Sequence, residues 1–254
     1  MSTEIPRNPT LLVSFSGIDG AGKSTQIANL CAFLRGAGLR IDVIAFWDDV
    51  ATLKSIREGA GHKIFKGDKG VGSPSAPIER RDKNVRSPLM TIVRLGLYVL
   101  DALSLRHATR RALRSGADVV IFDRYIYDEL ANLDLRNPVM RGYLRALMTL
   151  APQPEASFIL DADPRQARAR KPEYPLDFLH ENRNAYLQLS RFLDGMTVIP
   201  PLPLAQAKTA VVRHVLGLLP ARETQTAAPA PAPVAAMAAA QKELDGQAAR
   251  PIAS

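Results

Sequence analysis

An eight-residue run near the amino terminus constrains this chain more than any other feature. Residues 17–24 read GIDGAGKS, which fits the G-x-x-x-x-G-K-[S/T] pattern of the phosphate-binding P-loop. Glycines let the backbone curl so that successive N–H groups point inward at an anion. An apolar strand over 11–16 precedes the run and a helix over 25–35 follows it. The run therefore predicts a site for nucleotide phosphates; the alternative is a glycine-rich turn that has lost nucleotide binding.

The loop supplies a defined set of candidate ligands for a nucleotide and Mg²⁺. Lys23 is predicted to reach the β- and γ-phosphates, and the Ser24 hydroxyl is predicted to hold Mg²⁺. The residues predicted to bind the nucleotide are Gly17, Asp19, Gly20, Ala21, Gly22, Lys23, Ser24 and Thr25.

Strand and helix patterns alternate along the rest of the chain. Apolar strand patterns lie at 39–46, 119–122, 156–160 and 196–199, and helical patterns at 89–114, 143–150, 176–193 and 205–219. This alternation predicts an α/β fold: a P-loop three-layer sandwich with a central parallel sheet of about five strands and helices on both faces. Ligands of such sheets bind beyond the carboxyl ends of the strands, where the P-loop, Asp48, Asp123 and Asp161 are expected.

The pattern also predicts the domain organisation. Residues 1–220 form one domain, and the Ala/Pro-rich residues 221–254 form a flexible tail that cannot pack a core. Within the domain, residues 59–88 are a long basic stretch with many glycines and prolines. A loop of this length predicts an ordered segment on the substrate side of the site, and disorder is the alternative.

Composition predicts the cellular compartment and the class of ligand. The single cysteine, Cys31, excludes an internal disulfide and fits a reducing cytoplasm. The amino terminus is polar and no apolar run is long enough to span a bilayer, so neither a signal peptide nor a membrane association is expected. The net charge of +8 comes from basic residues that are dispersed and not interleaved with aromatics. This favours small phosphorylated ligands over nucleic acid.

A second motif, VVIFDRY at 119–125, is a buried strand that ends in Asp123-Arg124-Tyr125. With the P-loop, the chain resembles the thymidylate kinases over roughly 11–219. The resemblance is strong at 15–26 and 123–125 and looser at 160–164 and 177–186. It implies transfer of the γ-phosphoryl group of ATP to a nucleoside monophosphate with Mg²⁺, dTMP to dTDP being favoured. It also implies a possible homodimer through the helix at 89–114.

The resemblance implies a role for each matching residue. Asp19 would face the sugar 3′-hydroxyl of the acceptor, Arg124 would hold the acceptor phosphate, and Asp123 would support the metal and its waters. Residues 163–176 would form a lid that closes over ATP and supplies arginine, with Arg168 and Arg170 as the catalytic candidates. Because position 20 is glycine, the P-loop itself contributes no arginine there. The alternative for the lid cations is a solvated helix face.

The chain departs from the family on the acceptor side. FWDDV at 46–50 stands where the family carries Arg-Glu-Pro-Gly-Gly, and Leu100-Asp101-Ala102 lacks the arginine of the family's Ala-Asp-Arg. Arg94 is the predicted substitute for that arginine, and Arg106 is the alternative. Asp48 and Tyr125 are further predicted acceptor contacts, with core packing as the alternative for the tyrosine.

These departures leave two other functions open. Asp48 or Asp49 could act as a base for a hydroxyl acceptor, such as a nucleoside or other small metabolite, because a hydroxyl must lose its proton whereas a phosphate is already ionised. Alternatively, the aspartates begin a helix, since Asp is a good N-cap. The third function is a nucleotide-binding regulatory protein without transferase activity.

Overall fold

The computed structural model describes residues 9–50 and 88–219, with the side chains of 88–90 left aside. Two predicted features, most of the basic stretch 59–88 and the tail 221–254, lie outside the described residues. The division into one domain and a tail therefore stays a prediction.

Five parallel strands form the central sheet, in the order β2-β3-β1-β4-β5. The strands are β1 (Leu11–Ser16), β2 (Ile41–Ala45), β3 (Val119–Asp123), β4 (Ala156–Leu160) and β5 (Met196–Ile199). Their registers bring Phe15, Ala45 and Asp123 into one row near the carboxyl edge. The predicted α/β fold with a parallel sheet is confirmed.

Seven helices accompany the sheet in the described part of the chain. They are α1 (Lys23–Gly36), α2 (Pro88–Ser115), α3 (Tyr127–Leu130), α4 (Pro138–Leu150), α5 (Pro164–Arg170), α6 (Leu176–Phe192) and α7 (Leu204–Leu218). The predicted helix boundaries were close, except that α4 begins before the predicted residue 143. Asn137 caps α4 by accepting a hydrogen bond from the Val139 amide at 2.8 Å, and Pro138 occupies the first helical position.

Alternating residues of the strands build two cores, one on each face of the sheet. Leu11, Val13 and Phe15 of β1 pack with α1 and α7, whereas Leu12 faces the core that α2, α4 and α6 share. Val120 and Phe122 of β3 face the second core, and Val119 and Ile121 face the first. Because both faces are covered, the inner strands β1, β3 and β4 are buried along all or nearly all of their length.

Candidate functional site

The P-loop lies between the carboxyl end of β1 and the first turn of α1. Gly20 and Gly22 adopt left-handed backbone conformations, with φ of 81° and 90°, which favour glycine. A Cβ on Gly20 would lie 2.3 Å from the Ala167 carbonyl oxygen of α5, whereas a Cβ on Gly22 would meet no described atom within 4 Å. The loop is therefore covered by α5 at position 20 and open at position 22.

Lys23 begins α1 and its side chain turns back into the loop. Its Nζ donates hydrogen bonds to the carbonyl oxygens of Gly17 at 2.8 Å and Ile18 at 2.9 Å. Burial, followed by the charge of Arg124, lowers the pKa of Lys23 to about 8 against the attraction of Asp128, Asp19 and Asp123. The loop thus holds the buried ammonium group of Lys23 against its own carbonyl oxygens.

The predicted magnesium ligands come from two elements, α1 and β3. Ser24 and Thr25 are exposed in the first turn of α1, and Asp123 is half-buried at the end of β3. Among the described residues, no group of three or more His, Cys, Asp or Glu side chains is arranged to hold a metal. A hydroxyl and a carboxylate are the kind of partial set that Mg²⁺ uses when phosphates complete its coordination.

Arg124 lies at the centre of an ion cluster just beyond β3. Its backbone φ is 67°, a conformation that costs energy for a residue with a Cβ and is concentrated at functional sites. Its Nη1 donates to Asp128 Oδ2 at 2.6 Å, and its Nη2 donates to Asp19 Oδ1. Burial would lower the pKa of Arg124, but the carboxylates of Asp128 and Asp19 outweigh it and raise the pKa above its ordinary value.

Asp19 connects this cluster to the P-loop and to α5. Besides Arg124, Lys171 approaches it, with Nζ 3.6 Å from Asp19 Oδ1. Burial would raise the pKa of Asp19, but the charges of Arg124, Lys23 and Lys171 together hold it below its ordinary value. Asp19 is thus ionised and shared between the strand end and the predicted lid.

Asp128 and Tyr186 close the cluster from the interior. The Asp128 side chain is 3% exposed, and its Oδ1 has no hydrogen-bond partner within the described structure. Burial, and then the negative charge of Asp128, raises the pKa of the Tyr186 hydroxyl well above its ordinary value. A buried carboxylate therefore stands directly behind Arg124.

The predicted lid begins with α5, which the sequence caps well. Asp163 accepts hydrogen bonds from the amides of Arg165 and Gln166, both at 3.0 Å, and Pro164 occupies the first helical position. Arg168 is half-buried and Arg170 is exposed, with its Nε donating to the Gln166 carbonyl at 3.2 Å. Both candidate arginines therefore lie on the one short helix that packs against Gly20.

A second ion pair ties the end of β4 to α6. Arg183 donates from Nε and Nη2 to the two oxygens of Asp161, at 2.6 and 2.7 Å. These hydrogen bonds, with the Asp161 charge, raise the pKa of Arg183. A bidentate pair fixes orientation as well as distance, so α6 is locked to the sheet edge on which α5 begins.

A cleft of about 610 Å³ opens beside the P-loop. One wall is the start of α1 with Thr25 and Gln26, and another is the lid with Gln166 and Arg170. The third wall, apart from the polar Asp161 and Asp163, is largely apolar: Leu160, Ala162, Ile199, Pro200, Pro201, Leu202, Pro203, Leu204 and Ala207. A largely apolar cleft with a few polar groups is typical of small-molecule sites.

Two of the acceptor-side residues that the sequence selected, Asp48 and Asp49, lie in the turn that follows β2. Phe46–Val50 forms a single π-helical turn after β2, in which Trp47, Asp48 and Asp49 are exposed. Asp49 Oδ2 accepts a hydrogen bond from the Ala45 amide at 2.8 Å, so this carboxylate holds the turn. This contact is not the predicted helix cap, because the donor amide precedes Asp49 in the chain and a cap accepts from amides that follow it.

Tyr125 is a correction to the predicted acceptor contacts. Its side chain is fully buried, and its hydroxyl donates to the Pro152 carbonyl. Burial raises the pKa of this hydroxyl well above its ordinary value. The residue packs the core because the chain turns inward immediately after Arg124, where Tyr125 meets Phe122 and Tyr127. Arg94 is half-buried on α2.

Comparison with known proteins gives one consistent result. The chain is 29% identical over 191 residues to the thymidylate kinase of Bifidobacterium longum (strain DJO10A), covering 71% of this chain and 84% of that protein. The chain is thymidylate kinase-like. It is also 27% identical to the thymidylate kinase of Chlorobium chlorochromatii and 28% identical to the probable thymidylate kinase of Archaeoglobus fulgidus. Both matches cover 82% of this chain and 96% of the relative.

These relatives confirm the resemblance stated from the motifs, and they support an enzyme of the nucleoside monophosphate kinase kind. No protein-family model matches the chain. Within residues 9–50 and 88–219, no helix is both long enough and apolar enough to cross a membrane.

Sequence reasoning missed three parts of this site. Asp128 gave one usable signal, because it follows Arg124 by four residues and could meet it on a helical turn. Arg183 lay in a segment of looser resemblance, with nothing to single it out. The proline-rich segment 200–203 carried no chemistry-bearing residue, and only the fold brings it to the P-loop.

Proposed function

We propose that this protein transfers the γ-phosphoryl group of ATP to a nucleoside monophosphate, with dTMP as the acceptor and Mg²⁺ as the metal. One observation carries the proposal: Arg124 stands beside P-loop residue Asp19 in a left-handed backbone conformation. A guanidinium held there at an energetic cost is suited to bind the acceptor phosphate, which must lie next to the γ-phosphate of ATP. The relatives named thymidylate kinase support the same reaction.

The donor side fits ATP. The loop amides and Lys23 would hold the phosphates, and the adjoining cleft is large and apolar enough to take a base and sugar. Ser24 and Asp123 would hold Mg²⁺, which neutralises charge on the phosphoryl group when it is bound. On ATP binding, the Lys23 Nζ would exchange its two carbonyl partners for phosphate oxygens. Its burial in the loop therefore places a positive charge where the phosphates would bind.

The lid would complete the reaction site from the other side. Residues 163–176 carry two candidate arginines, and Arg170 lines the cleft whereas Arg168 does not. We therefore assign Arg170 to the donor phosphates. Arg124 would hold the acceptor phosphate, and Asp19 would orient the acceptor sugar. Catalysis in this scheme is positioning and charge neutralisation, since the acceptor phosphate needs no base.

We further propose a homodimer through α2. Ile92, Leu100 and Leu103 are 66%, 43% and 48% exposed, and they lie along one side of the helix, with about two turns between the first pair and one turn between the second. Such a stripe would be covered by the same stripe of a second copy related by a two-fold axis.

The decisive experiment incubates the purified protein with labelled ATP, Mg²⁺ and separate acceptors. Label is expected on dTMP, and a Lys23→Ala variant should lose turnover by orders of magnitude while keeping its circular dichroism spectrum. Arg191→Ala, a change on the exposed end of α6, is the matched control and should retain activity. Full activity of Lys23→Ala would overturn the proposal.

A hydroxyl acceptor is the second candidate, because two carboxylates already occupy the terminal nitrogens of Arg124. Asp48, exposed at the carboxyl end of β2, would then be the base. Asp48→Asn should lower kcat strongly for a hydroxyl acceptor and leave dTMP phosphorylation nearly unchanged. Asp49→Asn is the matched control, since an amide oxygen can still accept from the Ala45 amide.

Tight ATP binding without transfer to any acceptor would favour a regulatory protein.

A further inference from the structure

Lys171 connects the lid to the acceptor-side cluster. It follows α5 directly, and its amide donates to the Ala167 carbonyl at 2.9 Å, which continues the helical turn. Its Nζ lies 3.6 Å from Asp19 Oδ1 and 3.3 Å from Glu173 Oε2. The side chain is 46% exposed, so it is held by these carboxylates and not by a buried pocket.

The contact between Lys171 and Asp19 depends on where α5 sits. The Ala167 carbonyl oxygen lies so close to Gly20 that a Cβ there would be 2.3 Å away. In this position, the end of α5 presents Lys171 to the P-loop. A movement of α5 away from Gly20 would also withdraw Lys171 from Asp19. This follows because Ala167, which covers Gly20, and Lys171 are on consecutive turns of the same short segment.

Because of the charges around Arg124, the contact between Lys171 and Asp19 affects how an acceptor phosphate would bind. Arg124 pairs with Asp19 and with Asp128, so the two carboxylates exceed the guanidinium by one negative charge. Lys23 also acts on Asp19, but its Nζ is hydrogen-bonded to loop carbonyls and is assigned to the donor phosphates. An acceptor phosphate carries almost two negative charges at pH 7 and would be repelled by that excess. Lys171 places a positive charge beside Asp19 that reduces this excess, although it shares that charge with Glu173.

We propose that Lys171 is a positioning residue that makes acceptor binding depend on lid closure. When α5 lies on the P-loop, Lys171 pairs with Asp19 and offsets part of its negative charge beside Arg124. The acceptor phosphate then meets less repulsion where it approaches Arg124. The inference rests on the proposed kinase function, and it predicts positive coupling between the donor nucleotide, which the lid would cover, and the acceptor.

The test compares Lys171→Met, which keeps the length but removes the charge, with Lys171→Arg, which restores it. For Lys171→Met, the acceptor KM at saturating ATP should rise about threefold to fivefold, the range expected for a half-exposed ion pair, with kcat changed less than about twofold. Lys171→Arg should return KM close to the wild-type value. The difference between wild type and Lys171→Met should shrink at high salt, since an exposed pair is screened.

Calorimetry supplies a readout that a merely structural role would not move. The dTMP affinity is measured with and without ADP, and the enhancement by ADP should fall in Lys171→Met by the same factor as the KM change. Arg191→Met, at the exposed end of α6, is the matched control and should leave both quantities unchanged.

The outcomes separate the two proposals. If wild-type protein phosphorylates dTMP and Lys171→Met keeps the same KM and the same coupling, the positioning role is overturned and the kinase function stands. A loss confined to kcat also overturns it, because that result assigns Lys171 to the transition state. If the wild type transfers phosphate to no acceptor, the kinase function and the inference fail together.

Discussion

Replacing Gly20 by alanine should separate α5 from the P-loop. The new Cβ would lie 2.3 Å from the Ala167 carbonyl oxygen and 2.8 Å from its carbonyl carbon, and neither atom is the flexible end of a side chain. The substitution also places a Cβ on a residue with φ of 81°. Either the helix shifts or the loop does, and both routes cost free energy.

Gly22→Ala is the matched control that isolates the overlap. Gly22 has a similar φ of 90°, but a Cβ there would meet no described atom within 4 Å. The left-handed conformation costs about 1–2 kcal/mol for alanine at either position, and the gain from a stiffer unfolded chain is also shared. Gly20→Ala should lose about 1–3 kcal/mol more than Gly22→Ala, the usual cost of overpacking.

Urea unfolding measures that difference, and limited trypsin digestion measures where the strain goes. Arg165, Arg168 and Arg170 are trypsin cleavage sites within α5, so displacement of the helix should accelerate cutting there, as identified by mass spectrometry. Equal unfolding free energies and equal cleavage of α5 in the two variants would refute the close packing of the lid on the loop.

Three further predictions follow from the buried charges and the exposed face of α2. Burial holds the pKa of Lys23 at about 8, below its ordinary 10.5, so the folded state releases a proton that the unfolded state retains. The unfolding free energy should therefore rise by about 3 kcal/mol between pH 8 and 10.5 in wild type relative to Lys23→Met, as measured by urea titrations across that range. Asp128→Ala should lose about 2–3 kcal/mol because it leaves the guanidinium of Arg124 short of one buried partner; a loss below 0.5 kcal/mol in urea would contradict this. Leu103→Lys should convert a dimer to a monomer in sedimentation velocity, and an unchanged sedimentation coefficient would argue against the α2 interface.

The local architecture of the site could be predicted from short segments. The P-loop, its flanking strand and helix, and the ends of β3 and β4 follow from apolar runs that stop at glycine or aspartate. Parallel strands bring such ends to one edge of the sheet, so the placement of Asp19, Asp123 and Asp161 on the same edge was predictable. The cap of α5 was equally local, since Asp163 and Pro164 act within one turn.

The interactions that give the site its chemistry were not predictable in this way. Asp19 and Arg124 are 105 positions apart, and their ion pair exists because β1 and β3 are neighbours in the sheet. Tyr125 looks like a polar contact in sequence, but the turn of the chain after Arg124 carries it into the core.

The sequence by itself determined the phosphate loop, the parallel sheet and the edge at which ligands bind, because these depend on residues that are neighbours along the chain. The tertiary structure alone decided which charges meet. Arg124 received two carboxylates, Asp19 received a lysine from α5, and Gly20 lies beneath the Ala167 carbonyl. Electrostatic and steric effects act over a few ångströms in space, and only the packing of distant segments sets those distances.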